Sequence, residues 1–199
     1  MRTLILSPHP DDCELTMGGT IQNLISQGKE LKVLFFSDCN IVNVRDEIKC
    51  SMETLGVKRW YLLNYPRRTM DNFRHEIRHM LYEEKDIERV YCPSLSDVHQ
   101  DHALIATEAV RAFNARADII HYIQPKNVSK PPTMFSELSE EQLSLKIKAL
   151  KCYKSQIRLR PKYFNEEAVR AVASFYGLVC GVRYAEAFEP YKILEPARV

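Results

Sequence analysis

Short apolar runs alternate with amphipathic stretches along most of this chain. Leu4-Ile5-Leu6, Leu31 to Phe36, Trp60 to Leu63, Val90 to Cys92 and Ile119 to Ile123 read as five strands. Between them, apolar residues recur at helical spacing. Leu15, Ile21, Leu24 and Ile25 form one such face, which ends near Gly28; residues 43–55 form a helix closed by Gly56. Phe73, Ile77, Met80 and Leu81 mark a helix over 71–85, and Ile105, Ala106, Ala109, Val110 and Phe113 mark another over 100–114. Strands that are nearly continuous apolar runs are buried on both faces, as in a parallel sheet, and strict alternation with helices makes βαβ units. The pattern therefore predicts a single α/β domain over residues 1–199, with an open, mostly parallel sheet and helices on both faces. Pro125 to Pro132 reads as a loop. It leads into helices over about 139–156 and 165–179 and a last segment from Tyr184 to Leu194.

The candidate chemistry lies at two strand ends. His9-Pro10-Asp11-Asp12 follows the first strand, and Asp97-Val98-His99-Gln100-Asp101-His102 follows the fourth. In open α/β sheets, ligands bind beyond the carboxyl ends of the strands where the strand order reverses. A strand order of 3-2-1-4-5 makes the first and fourth strands neighbours there, so the two clusters share one crevice. His102 lies on the inward side of the helix that carries Ile105 and Ala106, with His99 one turn earlier. His9, Asp12 and His102 then supply three metal ligands and leave one position open, the pattern of a catalytic zinc site. Asp11 is placed to take a proton from water and His99 to give one to a leaving group, with Asp101 holding the second ring nitrogen of His99. Together these parts describe metal-assisted hydrolysis of an amide or ester.

Composition narrows the partners. With 28 Lys and Arg against 26 Asp and Glu, the net charge of +2 gives no electrostatic case for nucleic acid or an anionic membrane. No run is long enough to span a bilayer, and the first apolar run is too short for a signal peptide. The six cysteines lie far apart with no CxxC pair, so free thiols in a reducing, cytoplasmic setting are the expectation. Oligomeric state is not legible, and a homo-oligomer is compatible with the pattern.

Pro8 to Asp12, followed by Gly18-Gly19-Thr20, resembles the first motif of the LmbE-like, or PIG-L, family of N-deacetylases. Asp97, His99, Asp101 and His102 resemble its second, with Gln100 in place of a proline. Lys148-Ala149-Leu150, Tyr153, Ser155, Gln156 and the run Tyr184 to Phe188 extend the likeness towards the C-terminus. The resemblance implies a Rossmann-like fold, Zn2+ on His9, Asp12 and His102 (with Fe2+ as the rival metal), Asp11 as base and His99 as acid. It also implies a small-molecule substrate, an N-acetylglucosamine-type sugar or its conjugate. The chain departs from the family where substrates are read. Val44 stands at a usual arginine position, with Arg45 beside it. Asp97 occupies the place of a tyrosine oxyanion donor in some members, and residues 64–69 lack the usual turn. Arg45 and Asp97 are the expected substrate contacts.

Three rival readings use the same chain. His75-Glu76-Ile77-Arg78-His79 matches the zincin HExxH signature, but Ile77, Met80 and Leu81 claim the buried face of that helix, which turns both histidines outward. Two histidines and a carboxylate also make the triad of non-haem iron oxygenases; Asp11 and His99 have no task in that chemistry. A different metal-dependent amidase, or a non-catalytic member that binds a sugar without cutting it, completes the set of alternatives.

Overall fold

The computed structural model describes residues 2–126 and 131–194; residues 127–130 of the expected loop lie outside them. The chain runs β1 (Arg2–Ser7), α1 (Asp12–Ser26), β2 (Glu30–Phe35), α2 (Val44–Leu55), β3 (Trp60–Leu62), a 3-10 turn (Met70–Phe73), α3 (Arg74–Glu83), β4 (Arg89–Pro93), α4 (Gln100–Phe113) and β5 (Asp118–Tyr122). It continues through β6 (Met134–Glu137), α5 (Glu140–Lys151), α6 (Lys154–Leu159), α7 (Glu166–Cys180) and β7 (Ala185–Lys192). The sheet order is β3-β2-β1-β4-β5-β7-β6. The first five strands are parallel, while β7 runs antiparallel to β5 and to β6. The expected α/β architecture is thus present, extended by a two-stranded antiparallel edge.

The pleat of each strand divides its side chains between two cores. Ile5, Val33, Phe35, Tyr91 and Ile120 face Met17, Ile21 and Leu24 of α1, Ile48 and Met52 of α2, and Ala149 of α5. Leu4, Leu6, Leu34, Val90 and Ile119 face the other way, onto Ile77 and Leu81 of α3 and Leu104, Ile105 and Ala109 of α4. Each fully buried Leu or Ile adds about 1.5–3 kcal/mol of hydrophobic stabilisation. Burial on both faces makes these strands apolar throughout, and that is why their sequence reads so clearly.

The C-terminal third departs from expectation in three ways. β6 has only four residues, none fully buried, and no apolar run announces such an edge strand. The helix expected over 139–156 is two, α5 and α6, separated where Tyr153 leaves helical geometry (ψ 66°) and buries its ring against the sheet. Cys50 on α2 is also bonded to Cys152 between α5 and α6, across 102 residues. The expectation of free thiols throughout is corrected for this pair; Cys13, Cys39, Cys92 and Cys180 are free. No local spacing signals the bond, because the fold alone brings the two Cα atoms to 5.8 Å.

Gly18-Gly19 is a packing device. A Cβ on Gly19 would fall 2.5 Å from the Leu138 side chain. The Gly19 N–H (3.0 Å) and the Thr20 N–H (2.7 Å) donate to Glu186 of β7, which also receives the Lys146 ammonium at 2.6 Å. This buried carboxylate has a full set of donors and ties α1, α5 and β7 together. The glycine pair therefore serves the core and does not feed N–H groups to the site at the strand ends. Among the described residues, no helix is long and apolar enough to cross a membrane.

The disulfide closes a long loop, an arrangement worth about 2–4 kcal/mol, so reduction or a Cys50→Ser/Cys152→Ser variant should lower the melting temperature by roughly 5–15 °C. Six free thiols in the folded protein, with an unchanged midpoint on reduction, would remove this bond from the fold.

Candidate active site

β1 delivers its last residue, Ser7, to the carboxyl edge of the sheet, and the chain turns there before α1. The Ser7 hydroxyl donates to the His9 carbonyl at 2.8 Å and accepts from the Cys13 N–H at 3.2 Å, fixing that turn. Asp11 precedes α1 in the left-handed region, with φ 85°, a conformation that non-glycine residues adopt sparingly. That kink lets adjacent carboxylates take different neighbours. β4 is hydrogen-bonded beside β1, so the loop that starts α4 arrives at the same place. His99 is the N-cap of α4, and its Nδ1 accepts from the Asp101 N–H at 3.3 Å.

Three donor atoms form a nearly equilateral triangle. His9 Nδ1 lies 3.2 Å from Asp12 Oδ2, His102 Nε2 lies 3.2 Å from the same oxygen, and the two ring nitrogens are 3.2 Å apart. A tetrahedral ion with bonds of about 2.0–2.1 Å sets its ligand atoms about 3.3 Å apart, so the donors fit such an ion. Each ring is fixed from behind. His9 Nε2 lies 2.8 Å from Asp101 Oδ2, and His102 Nδ1 lies 2.8 Å from Asp97 Oδ2. Those carboxylates hold the N–H on the outer nitrogens and turn the inner lone pairs towards the triangle. The remaining oxygen of Asp12 accepts from Gln124 at 2.8 Å.

The field favours added positive charge at this point. Burial opposes ionisation of Asp12, yet the His102 charge and the hydrogen bonds from both rings overcome it and hold the carboxyl far below its usual range. Burial likewise opposes protonation of His102, but Asp12 and Asp97 push its pKa up to about 10. His9 is raised in the same way against burial, by Asp101 and Asp12. A divalent ion would take the place of those protons, so metal uptake would release them.

Asp11 and His99 flank the triangle. Asp11 is buried, and its Oδ2 lies 3.0 Å from Arg160 Nη2. Burial and the Asp12 charge push its pKa well up, against the pull of Arg160. His99 is half-buried, with its ring 4.8 Å from that of His9 and 4.7 Å from that of His102. Burial and the two neighbouring imidazoles lower its pKa to about 4. Because Nδ1 accepts a backbone bond, neutral His99 carries its proton on Nε2.

All eight expected site residues now have a place. His9, Asp11, Asp12, His99 and His102 line one cleft of about 530 Å³. Asp101 serves His9 and not His99, because the helix begins at His99 and turns the Asp101 side chain towards the end of β1. Asp97 is buried behind His102, also accepts from the His99 N–H at 2.8 Å, and does not line the cleft. Arg45 is exposed against Trp60, 5.9 Å from the ring centroid, and does not line the cleft; Val44 takes the inward position instead. Gln124, Lys126, Gln156 and Tyr163 line the cleft and were not anticipated. Gln124 carried a usable signal, since it follows β5 at the ligand-binding edge of the sheet.

Residues 4–113 match the family model described as PIG-L, GlcNAc-PI de-N-acetylase. That span is more than half of the chain, and the chain belongs to this family. It is 26% identical over 219 residues to the diacetylchitobiose deacetylase of Thermococcus kodakarensis, covering 93% of this chain and 81% of that one. Among solved structures, the conserved protein TT1542 from Thermus thermophilus superposes with a TM-score of 0.80 at 23% identity, over 99% of both chains. The N,N'-diacetylchitobiose deacetylase from Pyrococcus horikoshii superposes with a TM-score of 0.76 at 25% identity, over 95% of this chain and 83% of that one.

His75 and His79 are exposed on α3, while Ile77 and Leu81 fill the core. A His75→Ala/His79→Ala variant should bind as much metal per chain as the parent by elemental analysis; loss of one equivalent would move the metal site to α3.

Proposed function

We propose that this PIG-L family member is a zinc-dependent hydrolase that removes an N-acyl group from an N-acetylglucosamine-type sugar or its conjugate. The observation that carries the reading is the 3.2 Å triangle of His9, Asp12 and His102, with the unshared carboxylate of Asp11 beside it in the same cleft. The family match and the deacetylases among the relatives support the same chemistry.

His9, Asp12 and His102 would hold the metal, which when bound would supply a Lewis acid for the amide carbonyl and for water. Asp11 accepts the proton of the attacking water. Its raised pKa suits that task, because a carboxylate of ordinary acidity is a weak base near neutral pH. His99 works as a neutral imidazole. Its Nε2–H points a hydrogen bond at the developing oxyanion, as preorganised donors do in acyl transfer. With a pKa of about 4, it is not stored as an imidazolium, so the proton for the departing amine comes from Asp11, which has just gained one. Asp101 and Asp97 keep the ligand rings in place and do not touch substrate. The products are a free amino sugar and the carboxylic acid.

Acetate release from N,N'-diacetylchitobiose and N-acetylglucosamine conjugates, with one equivalent of zinc or iron(II), tests the activity and the metal. Asp11→Ala should retain metal and lose about 10²–10⁴-fold in kcat. His102→Ala should lose the metal itself. Near-parental turnover by Asp11→Ala would remove it as the base. Asp101→Asn should weaken metal binding about 10–100-fold through loss of the charged partner of His9; unchanged affinity in a metal titration would contradict that role.

A further inference from the structure

The floor of the cleft is acidic and histidine-rich, yet Arg67, Arg68, Lys126 and Arg160 also line it. These cations come from three separate segments: the stretch after β3, the residues after β5 and the end of α6. The chain as a whole carries only +2, so this concentration is local. Arg160 is paired with Asp11. Among the described residues, no carboxylate forms an ion pair with Arg67, Arg68 or Lys126.

The backbone turn that carries the two arginines, and the Lys126 side chain, are positioned by residues of the site. Arg68 stands at φ 69°, a left-handed conformation that is strained for an arginine. Its N–H donates to Asp101 Oδ2 at 2.8 Å, and its carbonyl accepts from the Gln100 side chain. Asp101 and Gln100 belong to the first turn of α4, so the Arg67-Arg68 turn is pinned to the helix that carries His102. On the other wall, the Lys126 ammonium lies 4.1 Å from the Tyr163 ring centroid. The Tyr163 hydroxyl bonds Gln124, which in turn bonds the ligand Asp12. Cations gathered on a fixed turn and an aromatic platform at a cleft mouth recognise anions, and arginine suits the flat, forked oxygens of carboxylates and phosphates.

We infer that the substrate bears an anionic group, a phosphate ester or a carboxylate, attached to the sugar away from the scissile amide and received by Arg67, Arg68 and Lys126. The inference rests on the deacetylase reading for the bond that is cut, while the anion site stands on the cleft geometry alone. It makes Arg67, Arg68 and Lys126 determinants of specificity for the leaving amine.

The test compares acetate release by the zinc-loaded full chain from a matched set: methyl N-acetylglucosaminide, N-acetylglucosamine 1-phosphate, N-acetylglucosamine 6-phosphate and carboxymethyl N-acetylglucosaminide. At least one anionic member should exceed the neutral one tenfold or more in kcat/KM, mainly through KM. The advantage should shrink as ionic strength rises. Arg67→Ala and Lys126→Ala should each cut the anionic-to-neutral ratio about fivefold, Arg67→Lys should recover part of it, and Lys58→Ala, outside the cleft, should not move it. The phosphate and carboxylate arms distinguish the two sources of charge. A ratio near one in the parent, or a ratio indifferent to both alanine variants, overturns the inference. Calorimetric titration with the same four sugars runs alongside. If none is cut, tighter binding of an anionic sugar that both alanine variants weaken retains the anion site and rejects the deacetylase reading; equal binding of all four rejects the anion site.

Discussion

Asp12 is a carboxylate buried where β1, β4 and β5 end, and the compensation of its charge organises what surrounds it. An unpaired buried carboxylate is expensive, so the fold must bring donors or cations to it. One oxygen receives the His9 N–H at 2.9 Å and faces the imidazoles of His9 and His102; the other receives Gln124. Those partners come from the ends of β1, β4 and β5, three strands that lie side by side in the sheet. The same constraint repeats one shell out, where Asp97 and Asp101 are each neutralised by a ring that Asp12 has already oriented. Glu14, two residues further along α1, is buried as well and is served by Ser51, Tyr153 and Cys13. Burial pushes the carboxyls of Asp11 and Glu14 towards the neutral form, so the charge at the start of α1 concentrates on Asp12.

Much of this was legible because the sheet is buried on both faces. Five strands and four helices stand out by apolar period alone, and the two polar clusters interrupt that period at strand ends. The pairing of carboxylates with rings was not legible. Asp101 adjoins His102 in sequence but serves His9, ninety-two residues away, since His99 caps α4 and the side chains of its first turn fan towards different strands. Arg45 misled for a related reason. Val44 is the residue that α2 buries, and its neighbour is carried out to Trp60. β6, the break at Tyr153 and the Cys50–Cys152 bond are set by long-range packing, for which a local pattern carries no mark.

His99 shows how a fold can change a role that spacing suggests. Two residues from Asp101 it looks like an imidazolium waiting for a leaving group. In place, it caps a helix through Nδ1 and sits against two other imidazoles. Both features favour the neutral ring, with a proton fixed on Nε2. Asp11, buried and beside Asp12, is pushed the opposite way. The surroundings thus drive the two titratable groups apart, Asp11 towards holding a proton and His99 towards a neutral ring.

The cleft draws its lining from both parts of the chain. The family match ends at residue 113, and every residue assigned to the metal, the base and the oxyanion lies within it. Lys126 lies beyond it, after the end of β5, and Gln156, Arg160 and Tyr163 reach the cleft because the C-terminal third is fastened to the sheet. The fastenings are independent of one another: the disulfide from α2, the Glu47 carboxylate on Ser155 (2.8 Å to its N–H), the Tyr153 hydroxyl on Glu14, and the Glu186 cluster on α1. Such redundancy is what a wall that must hold its shape requires, since Arg160 meets Asp11 only if α6 stays where it is. The wall that α6 and the residues after it add to the cleft therefore depends on these long-range fastenings, whereas the triangle of His9, Asp12 and His102 depends only on the order of β1 and β4.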